Sequence, residues 1–370
     1  MSRRHQITIN GQSFLANHGD LLLDAALRSG VDLPHDCRAG HCGSCCVRLV
    51  SGDVDGGGGA EPGIVHACQC RISGDAVVER AVAQMVRTVE GNVTSLRPVS
   101  ADVMEVGITT KRALPHLAGQ YAKIRFAGFP SRPFSLTHPL EGQPSGRSIY
   151  LHVRRVEGGR VTTALGRSIL QGHAVSLSGP FGRAHFRAQQ AGRILLVASN
   201  TGFAPIWAIA VAALREDPER SMMVIAGGRS LHALYMGPAL TQLARFPNTS
   251  IIPVCSGSRP LPPVVWPGRP TDYLPSLLPT DTVYACGAEG MVEAVKSIAA
   301  QCGATCHADP FVAAADDERD ETPGLLPRAA GLLAVPTLRR PPAHRPGRGD
   351  PGLPMLQFSD TTRMKRRLES

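Results

Sequence analysis

The stretch Cys37-Arg-Ala-Gly-His-Cys-Gly-Ser-Cys45, "CRAGHCGSC", places three cysteines within nine residues and sets Gly40 and Gly43 between them. Thiolates at this spacing can surround a metal centre if the loop turns tightly, and glycine allows such turns because it has no Cβ. Backbone N–H groups of a tight loop can also point inward at sulfur. The stretch therefore predicts a metal site, and a further ligand has to come from elsewhere in the chain.

The fourth ligand is open between Cys68 and Cys70, the two cysteines of "HACQC" at 66–70. The spacing C-x4-C-x2-C with a distant fourth cysteine resembles that of plant-type ferredoxins, which hold a 2Fe–2S cluster. The fourth cysteine of ferredoxins usually stands before a glutamine, as Cys68 does here, so the resemblance favours Cys68. The implied metal ligands are Cys37, Cys42, Cys45 and Cys68.

A zinc site is the alternative interpretation of the same cysteines. It would combine Cys42 and Cys45 with the Cys68/Cys70 pair, and the protein would then be a zinc-stapled interaction protein without enzymatic activity. Zinc knuckles usually present two C-x2-C pairs, whereas the second pair here is C-x-C. The spacing therefore favours iron and sulfide over zinc.

The first segment of the chain, residues 1–86, surrounds the cysteine loop. Two alternating strands flank Asn10-Gly11, a hairpin turn signal, and "LLLDAALRSG" predicts a helix that ends at Gly30. A glycine-rich turn at 56–59 and a closing strand in "DAVVERAVAQ" complete the predicted pattern. Together with the cysteine loop, these elements indicate a β-grasp ferredoxin domain of the α+β class.

Three more segments follow. Residues 87–190 consist of short β-type runs between Gly and Pro, which predict an antiparallel β-barrel. Residues 191–314 alternate apolar strands with helices, the rhythm of an α/β doubly wound parallel sheet. Residues 315–370 are rich in Pro and Arg and lack periodicity, so we expect a disordered tail.

The net charge of +9 lies mostly near the C-terminus, because residues 322–370 carry nine Lys/Arg and three Asp/Glu, a net +6. The +3 left for the other residues predicts no nucleic-acid partner. The N-terminus has no apolar run, and the most apolar stretch, 194–214, is broken by a polar loop and a proline. We therefore expect neither a secretory signal nor a membrane span, and a cytoplasmic monomer whose cysteines are reduced or metal-bound.

Three motifs of the second segment point to a known family. Arg132-Pro-Phe-Ser135 is followed by "EGGRVTTAL" at 157–165 and "SGPFG" at 178–182. In this order they resemble the FAD-binding barrel of the ferredoxin–NADP reductase superfamily. With the cysteine loop, residues 1–312 resemble the reductase components of bacterial multicomponent oxygenases, and above all those of naphthalene-type aromatic-ring dioxygenases.

The resemblance implies a flavin site on the barrel. Arg132 would pair with the FAD pyrophosphate, since a guanidinium fork suits phosphate oxygens. Phe134, where the family usually has Tyr, would keep the stacking face against the flavin, and Ser135 would act catalytically by hydrogen-bonding near flavin N5. The implied FAD-binding residues are Arg132, Pro133, Phe134, Ser135, Gly159, Val161, Thr162 and Thr163, the last four through backbone and hydroxyl groups on the diphosphate.

A nicotinamide-nucleotide loop is implied by "LLVASNTGFAP" at 195–205. Thr201 and Gly202 would lie where a helix N-terminus meets the pyrophosphate. Asn200 replaces a glycine of the family, and asparagine tolerates a positive φ. Arg229, in "AGGRS", would lie near the adenosine ribose, where it contacts a 2′-phosphate or is merely solvated, so NADH and NADPH both remain open.

The hydride-transfer site is implied by "YACGAEGMVEAV" at 284–295. Cys286 and Gly287 would lie beside the nicotinamide and flavin N5. Cys286 is expected to act catalytically by lining this contact, because its sulfur is small and weakly polar, and not as a nucleophile.

The implied activity is electron transfer from NAD(P)H to FAD, then to the 2Fe–2S cluster, then to a ferredoxin or the terminal oxygenase of an aromatic-ring-hydroxylating dioxygenase system. Nicotinamide gives up two electrons as hydride while the cluster accepts one at a time, and flavin can do both. The alternative is a reductase for a multicomponent monooxygenase or another iron–sulfur acceptor. The acceptor is a different protein, and this sequence contains no feature that distinguishes these acceptors.

Overall fold

The computed structural model describes residues 3–35, 38, 40, 43–58, 63–80, 86–142, 147–257 and 259–311. Three β-sheets and four α-helices make up this part of the chain, and residues Met1–Ala313 form one compact unit. The predicted ligands Cys37 and Cys42 and the predicted disordered tail at 315–370 lie outside the described residues.

The first sheet has the predicted β-grasp topology. Its strand order is β2-β1-β4-β3, in which β1 runs parallel to β4 and the other neighbours are antiparallel. Asn10 and Gly11 form the β1–β2 turn with φ angles of 50° and 84°, and the apolar side chains of α1 pack on the sheet to form the core. The elements are β1 (Arg4–Ile9), β2 (Gln12–Asn17), α1 (Leu22–Arg28), β3 (Cys46–Gly58) and β4 (Ile64–Arg80).

Two details of this sheet differ from the expectations. Gly56–Gly58, expected in a turn, form the end of β3, where the register against β4 shifts. The expected closing strand is not a separate element: its residues up to Arg80 form the second half of β4. Gly56 and Gly57 have φ angles of 72° and 66°, and because glycine is favoured in bulges as well as in turns, composition alone does not separate the two.

The second sheet is the predicted antiparallel barrel, with strand order β8-β7-β10-β5-β6-β9. The two edge strands come together where Thr137, just after β8, pairs with Tyr150 of β9. Alternate apolar residues fill the interior. The strands are β5 (Arg87–Pro98), β6 (Val103–Thr110), β7 (Tyr121–Phe126), β8 (Arg132–Ser135), β9 (Ser148–Arg154) and β10 (Ala174–Phe181).

The third sheet is the predicted doubly wound α/β structure. All its strands are parallel, in the order β14-β13-β12-β11-β15-β16. Successive residues of β11 face opposite sides, one packing on α2 and α3 and the other on α4. The elements are β11 (Ile194–Ser199), α2 (Phe203–Glu216), β12 (Met222–Gly228), α3 (Gly237–Leu243), β13 (Thr249–Cys255), β14 (Trp266–Pro267), β15 (Thr282–Ala288), α4 (Glu289–Gln301) and β16 (Thr305–Phe311).

The segment after β8 joins the barrel to the third sheet. The Thr137 hydroxyl donates to the Ala204 carbonyl at 2.7 Å, and Trp207 Nε1 donates to the Pro139 carbonyl at 3.1 Å. Because Ala204 and Trp207 both belong to α2, the start of this helix holds the barrel against the third sheet.

Acid should weaken this junction. Burial first, and then the charges of Arg215 and His116, lower the pKa of His138 to about 4. The unfolded state, with a histidine pKa near 6.5, therefore binds more protons below pH 6.5, and the stabilisation present above that pH is lost as the pH falls toward 4. We expect the free energy of unfolding to fall by at most about 1.4 kcal/mol per pH unit for this residue.

Urea unfolding followed by tryptophan fluorescence between pH 6.5 and 5 measures the effect. In His138→Gln the free energy of unfolding should fall less over the same pH change, because the proton that His138 takes up on unfolding is no longer involved. An unchanged pH dependence in this variant would contradict the expectation.

Within the described residues, none of the helices combines the length and the apolar character needed to span a bilayer.

Candidate electron-transfer site

The cysteine loop lies at one end of the first sheet. The Sγ atoms of Cys45 and Cys68 are 3.3 Å apart, and both residues are almost fully buried. Two sulfurs bound at ~2.3 Å to one tetrahedral metal ion lie about 3.8 Å apart, so this pair needs only a small adjustment to share an ion. These two described thiols therefore fit one side of a thiolate-bound centre.

The loop geometry agrees with the role expected for its glycines. Gly40 and Gly43 have φ angles of 76° and 73°, and Arg38 also has a positive φ angle, 52°. The Gln69 side chain donates to the Arg38 carbonyl at 2.7 Å, which ties the loop to the strand that carries Cys68. Gln69 therefore positions the loop next to the candidate fourth ligand.

Cys70 occupies a different environment. Its side chain is fully buried in the core of the first sheet beneath Gly57, where an added Cβ would lie 2.7 Å from the Cys70 Cβ. Burial is the main cause that raises the pKa of Cys70 to about 12. Because a metal ligand must be a thiolate, this environment suits a packed neutral thiol.

The Arg132–Ser135 motif is β8, an edge strand of the barrel sheet. The four residues pair with β7, so that Ser135 lies opposite Tyr121. Phe134 is half-buried and packs on the barrel core, and the Arg132 guanidinium donates to the Ser131 carbonyl at 2.9 Å. Pro133 is exposed between them.

Residues 159–163, the second segment predicted to bind flavin, form a turn that is held by hydrogen bonds within residues 156–163. The Thr163 hydroxyl donates to the Gly159 carbonyl at 2.7 Å, and the Thr162 hydroxyl accepts from the Val156 N–H at 3.1 Å. Val161 is buried in the barrel core, so its backbone is the part that can reach a ligand. The threonine hydroxyls thus shape the turn, a role that sequence reasoning did not assign to them.

The two loops predicted to bind the nucleotide follow β11 and β15, which run side by side where the strand order reverses. Parallel α/β sheets bind ligands at this kind of position. A Cβ at Gly202 would lie 2.2 Å from the Cys286 carbonyl oxygen, and one at Gly287 would lie 2.6 Å from the Ser199 carbonyl oxygen. Asn200 adopts the expected positive φ, 51°. The two loops are therefore in direct backbone contact.

Thr201 and Gly202 belong to the short 3-10 turn that leads into α2. The half-buried Thr201 thus lies at the start of this helix, the position at which a helix favours an anion. Ser199, which sequence reasoning missed, accepts a hydrogen bond from the Ala288 N–H at 2.8 Å and fixes the second loop against the first.

Cys286 is completely buried at this contact. Burial first, and then the charge of Asp309, raise the pKa of its thiol well above the usual value. A neutral thiol is a poor nucleophile, so the environment agrees with a lining role.

Arg229 is exposed directly after β12. The next residue, Ser230, caps a short 3-10 helix by accepting from the Ala233 N–H. Arg229 thus stands at the carboxyl end of the strand next to β11.

An iron–sulfur module, a flavin barrel and a nucleotide-binding sheet in one chain define an oxidoreductase that moves electrons between a nicotinamide and an iron–sulfur centre. Residues 7–73 match the 2Fe-2S iron-sulfur cluster binding domain, residues 90–186 the oxidoreductase FAD-binding domain and residues 196–297 the oxidoreductase NAD-binding domain. The match to the first of these decides against the zinc interpretation.

Two curated relatives and one solved structure extend the comparison. The ferredoxin–NAD(P)+ reductase component of the naphthalene 1,2-dioxygenase/salicylate 5-hydroxylase systems of Ralstonia sp. is 32% identical over 80% of this chain and 94% of its own. The phenol 2-monooxygenase reductase component of Pseudomonas sp. is 32% identical over 68% of this chain and 76% of its own. The crystal structure of the Amycolatopsis cytochrome P450 reductase GcoB is 28% identical, with a TM-score of 0.60 over 83% of this chain and 98% of its own.

The chain belongs to the family of ferredoxin–NAD(P)+ reductase components that combine 2Fe–2S, FAD and NAD(P) domains. It is an NAD(P)H-dependent electron-transfer oxidoreductase.

Proposed function

We propose that this reductase delivers electrons to a ferredoxin or to the terminal oxygenase of an aromatic-ring-hydroxylating dioxygenase system. The observation that carries the proposal is the buried Cys45–Cys68 thiol pair, which can ligate a 2Fe–2S cluster, a one-electron carrier, in the same chain as the nucleotide-binding domain. The likeness to the Ralstonia component indicates the kind of acceptor.

The residues of the chain divide the task among the three domains. We assign the cluster to Cys37, Cys42, Cys45 and Cys68. The bound groups supply the redox chemistry, hydride acceptance by FAD and single-electron transfer by the 2Fe–2S cluster. Arg132 would hold the pyrophosphate of FAD, and Ser135 would offer a hydrogen bond to the flavin ring. Pro133, Phe134 and the 159–163 turn would complete that site.

The nucleotide is positioned by the two contacting loops. Thr201 and Gly202 receive its pyrophosphate at the start of α2, since helix N-termini bind anions. Cys286 and Gly287 would line the place where nicotinamide reaches the flavin, and the small, buried, neutral thiol would exclude water there without reacting.

An anaerobic titration with NADH, followed by visible and EPR spectra, tests the electron path. The flavin band should bleach and a reduced-cluster EPR signal should then appear, and added oxidised acceptor from a dioxygenase system should remove that signal. A protein that binds no iron, or a reduced cluster that such an acceptor does not reoxidise, would contradict the proposal.

A monooxygenase component is the second candidate acceptor, favoured by the likeness to the phenol 2-monooxygenase reductase component. Parallel reoxidation assays with a dioxygenase-type ferredoxin and with a monooxygenase component distinguish the two. Faster reoxidation by the monooxygenase component would favour this candidate.

We further infer that Arg229 contacts the adenosine ribose and supports the use of NADPH. An acidic residue after this strand would bind a ribose 2′-hydroxyl, whereas an arginine accommodates a 2′-phosphate. In Arg229→Glu, kcat/KM for NADPH should fall about tenfold more than kcat/KM for NADH, the scale of one charged hydrogen bond. The matched control is Arg245→Glu, an equal charge change at an exposed position after α3; an equal effect on both nucleotides would leave Arg229 without this role.

We also infer that the protein acts in the cytoplasm. Cys70, Cys255, Cys286, Cys302 and Cys306 are unpaired thiols, as expected of a reducing compartment.

A further inference from the structure

Arg183 extends from the flavin barrel to the cysteine loop. It lies two residues beyond β10, and its Nη1 donates to the Sγ of Cys46 at 3.0 Å. The aliphatic part of the same side chain covers Gly43, where an added Cβ would lie 2.6 Å from Arg183 Cδ. Gly43 and Cys46 lie on either side of Cys45, so this guanidinium rests on the part of the loop that carries a proposed ligand.

A second arginine supports Arg183. The Arg187 Nη1 donates to the Arg183 carbonyl at 3.1 Å and to the His185 carbonyl at 2.6 Å. Burial, followed by the charges of Arg187 and Arg183, lowers the pKa of His185. Residues 183–187, in which Arg183 and Arg187 flank His185, therefore form a positive segment. Its charge is constant, because a guanidinium stays protonated at any working pH.

This positive segment lies where the electron-transfer reaction changes charge. Each electron that enters a 2Fe–2S cluster adds one negative charge to the loop. The reduction potential of such clusters depends on the net charge around them and on hydrogen bonds to sulfur. A nearby cation that is partly shielded from water stabilises the reduced form more strongly than an exposed one.

We propose that Arg183 is a positioning residue that docks the cysteine loop on the flavin barrel and raises the reduction potential of the cluster. The proposal rests on the cluster assignment made above and deepens it. Arg183 contacts Cys46 and Gly43, which lie on either side of the proposed ligand Cys45, so we assign it a role exerted through the loop. The same contact fixes the separation between the loop and the barrel, on which electron transfer between them depends.

The test compares wild-type holoprotein with Arg183→Gln, Arg183→Lys and the control Arg245→Gln. Two quantities are measured: the midpoint potential of the cluster, by an EPR-monitored redox titration, and hydrogen exchange of the backbone amides of residues 43–48. In Arg183→Gln the exchange should become about tenfold faster, the scale of one hydrogen bond from a charged group, and the potential should become more negative. Arg183→Lys keeps the positive charge, so its midpoint potential should stay close to that of the wild type. Arg245→Gln should match the wild type in both quantities.

A potential and an exchange rate in Arg183→Gln equal to those of the wild type would overturn the proposal. If Arg183→Gln does not fold, Cys46→Ala removes the sulfur acceptor and leaves the arginine; unchanged amide exchange in that variant would overturn the docking role. A wild-type protein without iron contradicts the proposed function, whereas a wild-type cluster that NADH reduces, with a potential insensitive to residue 183, contradicts only this inference.

Discussion

Cys68→Ser should yield a protein without a 2Fe–2S cluster. Cys68 faces Cys45 with 3.3 Å between their sulfurs, so its removal takes away one of the two thiols that can hold the same iron. A serine hydroxyl is a poor replacement, because soft thiolate ligands are what iron–sulfur clusters select. We expect loss of the cluster's visible absorbance, its EPR signal and electron delivery to a protein acceptor.

Cys70→Ser is the matched control, two residues along the same strand. Cys70 is a buried thiol whose pKa is raised to about 12, mainly by burial, and it packs under Gly57. Burying a hydroxyl there should lower the free energy of unfolding by roughly 1–3 kcal/mol and leave the iron content intact. Iron and labile sulfide analysis of both variants decides the matter; iron loss in Cys70→Ser with iron retained in Cys68→Ser would reverse the ligand assignment.

Local sequence patterns were sufficient to predict the three sheets. Asn10-Gly11 predicts a hairpin because few residues other than Asn and Gly accept its positive φ angles, and the structure has these values. The apolar run of β11 predicts a strand covered on both faces, and both of its faces are buried. These features depend on neighbours within a few residues, so the sequence displays them directly.

Features that depend on distant residues were not predictable in the same way. The contact of Arg183 with Cys46 joins positions 137 residues apart, and the local sequence "SGPFGR" does not predict which residue Arg183 contacts. The sequence analysis also missed that the predicted closing strand is continuous with the strand that carries Cys68 and Cys70, since register and bulges are set by tertiary pairing. The packing of Cys70 likewise depends on Gly57 of the neighbouring strand.

Gly202→Ala should abolish reduction of the protein by NADH. An added Cβ would lie 2.2 Å from the Cys286 carbonyl oxygen and 2.6 Å from the Gly287 Cα. Both are backbone atoms, which cannot rotate away as a side chain can, so the two loops must separate. A displacement of about 1 Å at reacting groups can lower a rate about a hundredfold, and we expect at least that fall in NADH-dependent turnover.

The matched control is Gly290→Ala, in the first turn of α4, where nothing lies within 4 Å of an added Cβ. Its turnover should equal that of the wild type, and its stability should rise by no more than about 1 kcal/mol, because alanine is the better helix former.

Dithionite separates a damaged nucleotide site from general misfolding, because it supplies electrons without NADH. In Gly202→Ala, dithionite should still produce the reduced-cluster EPR signal, since the cysteine loop belongs to a different sheet, while NADH should produce almost none. Normal reduction by NADH would show that the loops can part without cost, and the close backbone approach of Gly202 to Cys286 would then not be what positions the nicotinamide.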